Sequence, residues 1–71
     1  MIASLKRKGK RETPVRVAFA LDDDWEGITR KVATVMGIEA KGVVGIEGED
    51  GSRVVSGSGV RDGEVLRVEV S

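Results

Sequence analysis

The clearest alternation in the chain is "PVRVAFAL", residues 14–21, where Val15, Val17, Phe19 and Leu21 are interleaved with Arg16, Ala18 and Ala20. A period of two sends successive side chains to opposite faces, so this stretch predicts a half-buried strand. Upstream, Ala3 and Leu5 share an inward face while Lys6 and Lys8 point outward. Between them "GKRET" is of turn length and opens on Gly9, and Pro14 stands at a strand start, where its missing N–H is tolerated. The pattern predicts a hairpin of residues 2–8 and 14–21 with a basic loop and one basic face.

In "DDDWEGITRKVATVMGI" the period changes. Trp25, Ile28, Val32, Val35 and Met36 fall on one face of a helix, with Arg30, Lys31 and Thr34 elsewhere. Asp22 or Asp23 is placed to cap the first N–H groups, and Asp23 with Glu26 has capping-box spacing. Gly37 is positioned to end the helix in a left-handed conformation, with Ile38 folding back. Beyond it, "GVVGIEG" and "SRVVS" flank "EDG" as a second predicted hairpin, "SGSG" is loop, and "VRDGEVLRVEV" gives a turn at Asp62-Gly63 and a last strand. The predicted order is β-β-α-β-β-β, an α+β architecture with one helix covering one face of a mixed sheet.

Composition limits what such a fold can do. Its 71 residues are enough for one domain, and with no cysteine neither a disulfide nor a thiolate metal site reinforces a small core. No apolar run reaches membrane-spanning length and Lys6 interrupts any leader-like start, so a soluble cytoplasmic protein is expected. The strand-like ending "VLRVEVS" fits a domain excised from a larger protein.

Charge changes the picture more. The formal net charge is zero, yet residues 1–16 carry Lys6, Arg7, Lys8, Lys10, Arg11 and Arg16 against Glu12 alone. The remainder is acidic by the same margin, so the chain is strongly polarised, which steers an acidic partner or a second copy toward the basic end.

The order of elements, together with Val60, Asp62, Gly63 and Leu66 in "VRDGEVLRVEV", resembles the ubiquitin-like β-grasp superfamily, whose domains often end in an apolar anchor, an acidic-Gly turn and a central last strand. The stretch "GIEGEDGSRVVSGSGVRDGEVLRV" is also similar to the second half of doublecortin domains and of the KHA domains of plant potassium channels. These resemblances imply a β-grasp fold across residues 1–71. The ending "VEVS" lacks the Gly-Gly tail of conjugating members, so a non-conjugating role is expected.

The Phox–Bem interaction domains pair head to tail, a first-strand lysine of one meeting an acidic segment of the next. That resemblance implies Lys6 or Lys8 as the lysine and Glu47, Glu49 and Asp50 of "IEGEDG" as the acids. Here the acids give way to "SRVVSGSG" where the family continues with more.

Catalysis has little to draw on: without His, Cys or Tyr, no nucleophile-base pair is signposted, and no enzyme activity, cofactor or metal is expected. Asp22, Asp23 and Asp24 match a helix start better than a cation site, and "EGEDGS" lacks the ligand spacing of a calcium loop. Trp25 reads as a lid packed against the sheet or as a partner anchor.

Three readings of the basic hairpin stay open. It is a solvated charged face, a surface for acidic protein including acidic cytoskeletal tails, or a sequence-blind nucleic-acid adaptor without stacking aromatics. The expected function is a non-catalytic interaction or scaffolding module. Its basic residues Lys6, Arg7, Lys8, Lys10, Arg11 and Arg16 contact an acidic protein or the Glu47, Glu49 and Asp50 surface of another copy. The alternative is a basic adaptor for nucleic acid or polyanionic filaments.

Overall fold

The computed structural model describes all residues 1–71. Strand β1 (Ile2–Arg7) and strand β2 (Val15–Ala18) form the first hairpin, followed by helix α1 (Trp25–Met36), strand β3 (Val43–Glu47) and strand β4 (Val65–Val70). The sheet order is β2-β1-β4-β3. The outer pairs are antiparallel and the central β1–β4 pair is parallel, with Leu5 opposite Leu66. A small α+β domain with one helix on a four-stranded mixed sheet is the result.

Alternation along the strands builds the core on one face. Ala3 and Leu5 from β1, Leu66 and Val68 from β4, and Val43 and Ile46 from β3 meet Ile28 and Val32 of α1, with Phe19, Val54 and Val60 closing the ends. Each fully buried aliphatic side chain contributes about 1.5–3 kcal/mol by leaving water. That sum is what holds together a domain without cross-links.

Where the structure departs from the sequence reading, tertiary contacts explain the difference. Residues 52–56 form no fifth strand; only Arg53 bridges, to Glu47. Val54 buries its side chain and Gly57 then dives inward, donating its N–H to the Asp23 carbonyl at 2.8 Å. A Cβ on Gly57 would lie 1.8 Å from the carbonyl oxygen of Ala20, so the "SGSG" segment is a close backbone-on-backbone contact that only glycine permits.

Strand β2 ends at Ala18 because the Asp23 carboxylate accepts the Ala20 N–H at 2.8 Å and turns the chain. Phe19 stays buried, but Leu21 is exposed rather than sharing its face. The helix cap is Asp24, one residue beyond the pair expected, accepting the Gly27 N–H at 2.8 Å. Gly37 ends the helix as expected, with φ +69°. Trp25 stays outside the core cluster and is partly covered, at 37% exposure.

Candidate interaction surface

The first hairpin closes through a tight turn. Gly9 takes φ +77°, a left-handed conformation costly for other residues, and the Lys10 N–H reaches the Arg7 carbonyl. Glu12 folds back so that its carboxylate accepts the Arg7 N–H at 2.9 Å, which the ladder leaves unpaired. This ordered loop holds Lys8, Lys10 and Arg11 exposed at its tip, with Arg7 and Arg16 exposed just below and Lys6 half-buried on the sheet.

The acids at the end of β3 and in the loop after it are differently placed. Glu47 lies on β3 across from Arg67 and pairs with Lys8 at 3.2 Å, so one member of the basic set meets one of the acidic set inside the same molecule. Glu49 accepts the Val65 N–H at 2.8 Å through its carboxylate. Asp50 accepts both the hydroxyl and the N–H of Ser52, and these bonds, the hydroxyl's first, hold its carboxyl below the usual carboxylate range. Each of the three acids is therefore engaged within the chain, Glu47 by Lys8, Glu49 by the start of β4 and Asp50 by its own loop. Buried Glu64 ties that loop to the Asp62-Gly63 turn, accepting N–H groups from Arg61 and Glu49, each at 3.1 Å.

The triple aspartate is structural in the same way. Asp24 caps the helix, while Asp23 holds Ala20 and pairs with Lys31. The hydrogen bond from Lys31, aided by the Ala20 N–H, lowers the Asp23 pKa. The Lys31 ammonium also lies 5.9 Å from the centre of the Phe19 ring, within cation–π range.

The structure contains four side-chain ion pairs: Lys8–Glu47, Arg30–Glu26, Lys31–Asp23 and Lys41–Glu39. Of the six hairpin cations only Lys8 appears among them; Lys6, Arg7, Lys10, Arg11 and Arg16 have no acidic partner. A carboxylate arriving from another molecule meets these five without first displacing an internal acid.

Two features escaped the sequence reading. One is a row across the sheet face away from α1, where Lys6, Arg67 and Glu47 stand on adjacent strands and Arg67 donates to the Gly48 carbonyl at 3.1 Å. Period-two alternation of "VLRVEV" would have placed Arg67 there, but not its neighbours. The other is a shallow groove along the outer side of β2, where Val17 and Ala18 face Arg30, Lys31, Thr34 and Val35 of α1. At its hairpin end it runs into a second hollow lined by Arg7, Glu12, Val15 and Met36.

No protein-family model, curated protein or solved structure matches this chain.

Proposed function

We propose that this domain is a non-catalytic protein–protein interaction module of ubiquitin-like β-grasp type, binding an acidic protein surface through its first hairpin. A parallel pair at the centre of the sheet, antiparallel pairs on either side of it and a helix in the crossover from β2 to β3 support the fold. The observation that carries the function is the pairing imbalance: five of the six hairpin cations lack an ion-pair partner, whereas Glu47, Glu49 and Asp50 are each engaged by their own chain. That imbalance favours a foreign acidic partner over head-to-tail assembly of copies. No helix is long and apolar enough to cross a membrane, and a soluble cytoplasmic setting belongs to the proposal.

Charge of this kind mainly sets encounter rate and orientation, so affinity is modest and falls with salt. The test is the affinity for an acidic probe, long-chain polyglutamate, measured by fluorescence anisotropy at low and high salt. The triple variant Lys10→Glu, Arg11→Glu, Arg16→Glu should bind at least about tenfold more weakly at low salt, since several exposed pairs become repulsions. Unchanged affinity in the folded variant would sink the reading. A duplex DNA probe bound more tightly than polyglutamate near physiological salt would replace it with the nucleic-acid adaptor.

A further inference from the structure

Between the two strands of the first hairpin lies a segment whose backbone the fold leaves unused. Residues 11–14 neither donate nor accept a backbone–backbone hydrogen bond; the turn closes at Lys10 and the ladder resumes at Val15. The Glu12 carboxylate pins the segment by accepting the Arg7 N–H at 2.9 Å. A stretch held this lightly opens locally at little cost.

Thr13 lies in that segment, exposed, and directly before the only proline of the chain. No hydrogen bond engages its hydroxyl. Other hydroxyls are committed: Thr29 to the Glu26 carbonyl, Ser52 to Asp50, and Ser56 and Ser58 to each other. Thr34 is exposed but fixed inside α1. Proline holds the residue before it in extended backbone and offers no N–H of its own. An exposed hydroxyl on extended chain, followed by proline, is the shape that a proline-directed protein kinase accepts. The acceptor segment lies extended in the kinase cleft, and an apolar pocket for the next residue leaves no N–H unsatisfied.

A cation waits beside this hydroxyl. Carried past Leu5–Val15, the β1–β2 register brings Thr13 opposite Arg7, and both line the hollow at the hairpin end, together with Glu12. Arg7 has no acidic ion-pair partner, and Arg11 is exposed nearby in the loop.

We propose that Thr13 is a phosphorylation site that switches the affinity of the hairpin for acidic partners. A proline-directed protein kinase transfers the γ-phosphoryl group of ATP to the Thr13 oxygen. A P–O bond forms there, the bond to the β-phosphate oxygen breaks with its electron pair leaving on ADP, and the hydroxyl proton passes to a carboxylate of the kinase. The product adds about 1.5–2 negative charges at neutral pH. They arrive in a hairpin whose six cations face Glu12 alone, and they engage Arg7 from within the chain. An acidic partner then meets a weaker field and one fewer free cation. The proposal rests on the acidic-partner reading above and adds its regulation.

The test incubates the full domain with ATP and a purified proline-directed kinase, following incorporation by intact mass and locating it by fragmentation. One phosphate should enter at Thr13, none should enter Thr13→Val at that position, and Pro14→Ala should lose most of the labelling. A domain that takes no phosphate at Thr13, or takes it as fast without the proline, overturns the site. The phosphorylated domain should bind polyglutamate about threefold to tenfold more weakly at low salt, with a smaller difference at high salt. The side-chain N–H resonance of Arg7 should shift on phosphorylation. Labelling at Thr13 with affinity unchanged overturns the switch. Failure of the unmodified domain to bind polyglutamate removes the switch together with the acidic-partner reading, and it is told apart because labelling is measured without any partner.

Discussion

The Lys8 ammonium lies 3.2 Å from the Glu47 carboxylate, joining the two segments whose opposite charges look, along the chain, like separate binding surfaces. The parallel β1–β4 pair and the antiparallel β4–β3 pair bring them together, since Lys8 continues β1 past Arg7 and Glu47 ends β3. Lys8 is half exposed and Glu47 largely covered. Lys8→Ala should therefore cost only about 0.5–1 kcal/mol of stability, read as a lower urea midpoint. It should leave binding to acidic probes nearly intact, in contrast to the change at Lys10, Arg11 and Arg16.

Gly57 gives the sharpest stability prediction. A methyl group there must displace the Ala20 carbonyl, which lies 1.8 Å from the Cβ position, whereas at Gly59 the nearest atom is 3.9 Å away. Gly57→Ala should lose about 1–3 kcal/mol or more through forced backbone movement. Gly59→Ala should lie within about 0.5 kcal/mol of the parent. Paired thermal denaturation curves make the comparison.

Glu64 should be nearly as sensitive. Its two oxygens accept N–H groups from Arg61 and Glu49, and the side chain that makes both bonds is buried. Glu64→Ala leaves both donors without this partner and should cost about 1–3 kcal/mol. Amide exchange should quicken at Glu49 and Arg61 before the core is affected.

Asp23 links stability to pH. Its pKa is lowered in the fold by the Lys31 hydrogen bond and then by the Ala20 N–H. A depressed carboxyl pKa contributes stability that is present above the unfolded value, about 3.9, and is lost as pH falls through the folded value. Asp23→Asn should flatten the acid side of the stability profile and lower stability at neutral pH. Circular dichroism melts from acidic to neutral pH check both.

Much of the fold was legible because it depends on local periodicity. The alternation of Val15 and Val17, the helical spacing of Ile28 and Val32, and Gly37 as terminator all describe real elements. Three adjacent aspartates, by contrast, are interchangeable as caps to any local rule. Asp24 takes the role because Asp23 is drawn away by Ala20 and by Lys31 eight residues on. The fifth strand fails for a similar reason, since the fit of Gly57 against Ala20 is a contact between distant segments.

The charged sites divide along the same line. The basic hairpin could be drawn from sequence, because its exposure follows from strand alternation and a loop. That Glu49 and Asp50 are tied up could not, because the Val65 N–H that engages Glu49 comes from another strand. The groove beside β2 was hidden too: Val35 reads as core, and its half exposure arises only because β2 is short and nothing pairs with its outer edge.

The most direct test of the central claim is a residue-by-residue amide shift map of the labelled domain titrated with polyglutamate. Binding through the unpaired hairpin cations predicts salt-reversible shifts concentrated in residues 6–18 and the facing turn of α1, with Glu47, Glu49 and Asp50 unmoved. Shifts centred on residues 47–50 or on β3, with the hairpin silent, would contradict it.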